Sequence, residues 1–172
     1  ALSSALQRHA WSVGGAETAD LVPTDARTRF AQTLRLATTL LFDHRAVASA
    51  DPAWHAQVIR LARAAGDARA SVETVFAEAI ARGLPYHETY FAMAAWSLPE
   101  SGGSYDQLEA LAAGAAAALG AADQDEQLYA RIYWAALDEE GKSHFASDIK
   151  VNRTRLKTAF AALVNRHQDQ FT

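Results

Sequence analysis

In LPESGGSYDQLEALAAG, Leu98 to Gly114, two glycines and a serine stand directly before a helical pattern. Backbone N–H groups at a helix start can hold a phosphate. A Walker loop needs a lysine after its last glycine, and here Gly103 is followed by Ser104 and Tyr105. A dinucleotide fingerprint needs a strand before it, and the pattern before Pro99 is helical. Glu100 and Asp106 would also repel an anion. The plainer reading is a chain reversal. Pro99 stops one helix, Gly102 and Gly103 turn, and Ser104 with Gln107 has the Ser-x-x-Gln spacing of a capping box.

Other chemistry is sparse. His87-Glu88 opens like the zinc-protease motif His-Glu-x-x-His, but Phe91 stands where the second histidine belongs. None of the six histidines lies three or four residues from another, so no local metal pair is present. Asp43-His44-Arg45 are adjacent on a helix and do not face one another, so they read as a helix end. No serine sits in a Gly-x-Ser-x-Gly elbow. The absence of cysteine removes thiolate and disulfide chemistry and fits cytoplasm or periplasm alike. No catalytic residue, cofactor or metal is therefore assigned. An enzymatic alternative would centre on a pocket at His87, Glu88 and Tyr90.

The aromatic residues of EQLYARIYWAALDEE are more suggestive. Tyr129 and Tyr133 are four apart and share a helix face, with Trp134 beside it. They are either core or an aromatic strip within an acidic rim, the composition of a protein-binding patch. Charge is uneven along the chain. Glu100 to Glu140 holds nine acids and one base, whereas Gly141 to the end holds six bases and two acids. The two regions are either solvated faces that complement each other or an acidic surface that steers a basic partner. The expected partner-binding residues are Glu100, Asp106, Glu109, Asp125, Glu126, Tyr129, Tyr133, Trp134, Asp138, Glu139 and Glu140. Nucleic acid is not expected: Arg153, Arg155, Lys157 and Arg166 share no narrow stripe, and the pI is near 5.8.

The elements that carry these residues read as helix after helix. Thr24 is a cap before Phe30, Leu34, Ala37 and Leu41. Asp51-Pro52 starts a helix that Gly66 ends. Ser71 begins the next, closed by Gly83. Pro85 starts a helix that stops near Pro99, and Ser104 caps one that ends at Gly120. Asp123 starts the aromatic helix, and Asn152 the last. No period-two strand is evident. The expected fold is all-α: antiparallel helical hairpins in a tetratricopeptide-like right-handed array or a compact bundle. The cap-to-cap steps, roughly 34 to 38 residues, suit such repeats. A chain of 172 residues reads as one domain, 1–172, and its start at Ala1 suggests the C-terminal part of a longer protein. No apolar run reaches the ~18 residues of a membrane span.

The order of motifs resembles a bacterial family of unknown function built of tetratricopeptide-like hairpins. The residues concerned are WSVGGAETADLV at Trp11–Val22, Asp51-Pro52-x-Trp54, Tyr90-Phe91, the Leu98-Pro99-x-x-Gly102-Gly103-Ser104 turn, LYARIYW at Leu128–Trp134 and FAALVNRHQ at Phe160–Gln168. The resemblance implies a fold and no activity. The function expected from the sequence is a non-enzymatic protein-binding module. Its narrower form is a bacterial immunity or inhibitor protein that neutralises a basic secreted effector toxin. A structural or regulatory segment of a longer helical-repeat protein is the alternative.

Overall fold

A computed structural model of the chain describes Ala5 and residues 24–66, 69–83, 86–119, 122–140 and 151–166. Among them every regular element is helical: α1 Thr24–Asp43, α2 Arg45–Ala48, α3 Pro52–Ala65, α4 Arg69–Ala81, α5 His87–Ser97, a single 3₁₀ turn at Pro99–Ser101, α6 Tyr105–Leu119, α7 Ala122–Glu140 and α8 Arg153–Arg166. The all-α expectation holds. None of these helices is long and apolar enough to cross a membrane.

The helix ends follow local chemistry. Asp51 accepts the Ala53 N–H at 2.9 Å and so satisfies one free donor of α3. Gly66 ends α3 at φ 70°, a left-handed conformation that glycine adopts without a Cβ penalty. Asn152 accepts the Arg155 N–H at 3.0 Å and starts α8. Two starts differ from expectation. Helix α4 begins at Arg69, two residues before Ser71, and α7 at Ala122, one before Asp123. The expected limits at Pro85 and Gly120, and the Trp11–Val22 stretch, lie outside the described residues.

The chain divides into two compact units, Ala1–Thr89 and Tyr90–Thr172. In the first, α3 packs against both α1 and α4. Leu34 and Ala37 of α1 meet Leu61 of α3 in a buried cluster. In the second, α7 packs against both α6 and α8. Its core joins Leu108 and Ala112 of α6, Leu128, Ile132 and Ala136 of α7, and Ala159 of α8. The short connections from α3 to α4 and from α6 to α7 make those two pairs antiparallel. The alanines on α6 and α8 have small side chains, so the backbones can approach closely.

Gly114 lies in the interior of α6, is exposed, and has open space where a Cβ would project. Nothing there requires glycine. Gly114→Ala is expected to stabilise the protein by about 0.5–1 kcal/mol, because alanine loses less backbone entropy in a helix. Urea unfolding followed by circular dichroism measures it, and a lower midpoint would contradict it.

Candidate functional site

The glycine turn has the sequence outline of an anion site, but its amides are engaged locally. The Ser101 and Gly103 N–H groups both donate to the Leu98 carbonyl at 3.0 Å, and the Gly102 N–H donates to Pro99 at 2.9 Å. Ser104 Oγ accepts the Gln107 N–H at 3.2 Å, as the capping box predicts. The amides of the turn are thus directed into the turn itself, which links α5 to α6.

The aromatic helix is built differently from a surface strip. Tyr129 and Tyr133 are 0 % and 1 % exposed, whereas Trp134 is 62 % exposed. Both tyrosine hydroxyls donate to the same oxygen, Oε2 of Glu109 on α6, with Tyr129 at 2.7 Å. The rings are tilted against each other with centroids 5.1 Å apart. Burial, and then the Glu109 carboxylate, push both phenol pKa values upward, so both hydroxyls stay protonated donors. Arg155 of α8 lies 4.2 Å over the Tyr129 ring. It also grips Glu126 through Nε at 3.1 Å and Nη2 at 3.0 Å. That fork-on-carboxylate pairing favours the charged guanidinium and pushes its pKa up.

These contacts correct the expected binding set. Tyr129 and Tyr133 are core residues, because their hydroxyls find an acceptor inside the unit and their rings can be buried at little polar cost. Glu109 and Glu126 are engaged internally by those hydroxyls and by Arg155. The Glu126–Arg155 pair is one point at which the acidic stretch and the basic C-terminal stretch complement each other. Glu100 and Asp106 are exposed. Asp125, Asp138, Glu139 and Glu140 lie on α7, with side chains outside the described residues.

Trp134 remains as the surface aromatic of the set. Its ring meets Phe160 of α8 edge-on, with centroids 6.1 Å apart and planes at 66°. Val164, one turn beyond Phe160, is 49 % exposed. Trp134, Phe160 and Val164 thus place apolar surface on adjoining turns of two packed helices. Phe160 and Val164 were not among the expected partner-binding residues.

The three residues of the enzymatic alternative have separate neighbours. Glu88 is ion-paired to Arg60 of α3. Tyr90 packs against the core around Leu108, and burial raises its phenol pKa. His87 is half-buried at the start of α5. Among the described residues, no three His, Asp or Glu side chains gather as a metal site.

Sequence reasoning passed over His55. It is fully buried on α3, and Glu78 of α4 reaches within 3.9 Å of its Nε2. Its spacing to Ile59 and Ala62, four and seven residues on, is the signal that could have put it on a buried face. No protein-family model matches the chain, and no curated protein or solved structure matches it.

Proposed function

We propose that the chain is a non-enzymatic protein-binding module and that its partner docks on the α7–α8 face around Trp134. The observation that carries this reading is the exposure of Trp134 while its ring is held by Phe160. An aromatic side chain already fixed in place loses little rotamer freedom on binding, which is what makes tryptophan a frequent anchor of interfaces. Val164 extends the apolar contact, and solvated groups form the rim. In an array of tetratricopeptide-like hairpins, as the resemblance implies, such faces lie between neighbouring helices. In the narrower form of the proposal, the partner is a basic secreted effector that the chain neutralises as an immunity protein. Glu100 and Asp106 are then the exposed acids that steer it.

The test is a Trp134→Ala protein compared with wild type and with Leu36→Ala as a matched control, since Leu36 is an exposed apolar residue of the first unit. The expected result is that a partner captured by wild type from the source cells loses at least tenfold in affinity for Trp134→Ala and is unchanged for Leu36→Ala. Equal affinities for all three proteins would overturn the assignment of this face.

A further inference from the structure

The first unit holds a buried titratable group to which the proposed binding face gives no role. His55 is 0 % exposed, and neither of its ring nitrogens has a hydrogen-bond partner. It stands in the first turn of α3, where the free N–H groups carry the positive end of the helix dipole. From α4, Glu78 Oε1 is 3.9 Å from Nε2, beyond hydrogen-bond length. Glu78 is already bound by two guanidinium groups, Arg45 at 2.9 Å from α2 and Arg82 at 2.7 Å from the end of α4. Arg82 also donates to the Ser49 carbonyl at 2.8 Å. Arg45 lies 5.7 Å over the Trp54 ring. The Asp51 carboxylate at the start of α3 is turned to Ala53. The side facing α1 is apolar around Trp54: its ring meets Phe42 edge-on, and its indole N–H donates to the Leu41 carbonyl at 3.0 Å.

We propose that His55 is a proton-operated latch, whose protonation in mildly acidic solution unfastens α4 from α2 and α3 and opens the apolar cleft along the same seam. The neutral imidazole is tolerated without a partner. An imidazolium at the same place is a buried cation next to a helix N-terminus, with two arginines competing for the one nearby carboxylate. The cleft has a volume of about 330 Å³ and is lined by Val58 and Leu61 of α3, Val72 and Val75 of α4, and Leu41 and Phe42 of α1. Val58 and Val75 stand one turn from His55 and Glu78 on their respective helices. Separation at the latch therefore spreads the walls of the cleft.

The direction of the pH response follows from the surroundings. Burial holds the His55 pKa below its ordinary value against the upward pull of Glu78 and of the Asp51 backbone, and the Arg82 charge pushes it further down. The open state binds a proton more readily than the closed one. Stability of the seam is therefore complete above about pH 6.5, the unperturbed histidine value, and is lost as pH falls below it. Burial alone would raise the Glu78 carboxyl, but Arg45, Arg82 and His55 together hold it below its usual range. Glu78 thus stays ionised through this window, and the response there belongs to His55.

Hydrogen exchange read by mass spectrometry tests the latch, comparing wild type with His55→Leu at pH 7.5 and pH 5.5 after correction for the intrinsic exchange rate. Wild-type peptides from α4 are expected to lose at least tenfold in protection at the lower pH, and the variant less than twofold. Equal losses in the two proteins would overturn the proposal. Should His55→Leu not fold, the His55 ring resonances of wild type decide the matter. Titration below pH 6.5 coupled to loss of α4 protection supports the latch. Titration at or above 6.5 with the seam still protected contradicts it.

Discussion

Glu109→Ala is expected to destabilise the second unit by about 2–5 kcal/mol, because it leaves two buried hydroxyls without an acceptor at ~1–3 kcal/mol each. Tyr129 and Tyr133 both donate to Glu109 Oε2 from positions that are 0 % and 1 % exposed. Neither ring can turn its hydroxyl to water without leaving the core it shares with Leu108, Ile132 and Ala136. Glu109→Gln keeps an acceptor of the same shape and is expected to cost less than half as much. The difference between the two variants separates the hydrogen bonds from the packing of the side-chain stem. Tyr133→Phe in the Glu109→Ala background should recover part of the loss, since it removes one of the orphaned donors. Urea unfolding by near- and far-ultraviolet circular dichroism gives all four values. A Glu109→Ala cost under ~1 kcal/mol, near the net worth of one ordinary hydrogen bond, would show that the tyrosines are not held as described.

Gly103→Ala is expected to be the other costly substitution, at about 2–4 kcal/mol, the range of severe overpacking and backbone strain. A Cβ at position 103 would overlap the carbonyl oxygen and carbon of Ser97, which are backbone atoms. Ser97 cannot easily withdraw, because it is buried and its Oγ donates to the Met93 carbonyl at 2.9 Å. Moving Gly103 instead would break its own N–H bond to Leu98. The neighbouring Gly102 presents the opposite case. Its φ is 75°, yet a Cβ there would meet nothing within 4 Å. Gly102→Ala should therefore cost only the left-handed backbone penalty of about 1–2 kcal/mol. The predicted order of unfolding midpoints is wild type, then Gly102→Ala, then Gly103→Ala. An inverted order would contradict the packing of this turn.

The pair of glycines shows what a sequence makes legible and what it does not. That the stretch turns the chain was readable from Pro99, the glycines and the Ser104–Gln107 spacing, because those signals act over a few residues. That Gly103 is the indispensable one depends on where Ser97 returns in space. The caps at Asp51 and Asn152 were readable for the same local reason. The aromatic helix was read less well. Leu128 and Ile132 follow the apolar period, but Tyr129 and Tyr133 were left as either core or a surface strip and were counted among the binding residues. They turn inward because Glu109, 20 and 24 residues earlier, supplies their acceptor. A helical pattern carries no information about a partner on another helix. The same separation hid the His55–Glu78 pair, whose members lie on different helices of one hairpin. The stop between α1 and α2 was legible in Asp43-His44-Arg45, whereas the four-residue helix that follows has no cap signal: His44 makes no side-chain capping bond.

Site-specific photo-crosslinking tests whether Trp134 marks the docking face. A photoreactive phenylalanine analogue replaces Trp134 in one protein and Glu73, an exposed residue of α4, in another. Both are expressed in the source cells and irradiated, and adducts are identified by mass spectrometry. One dominant protein adduct is expected from position 134, and no such adduct from position 73. Identical adducts from the two positions, or none at 134 while a partner is captured elsewhere on the chain, would contradict it.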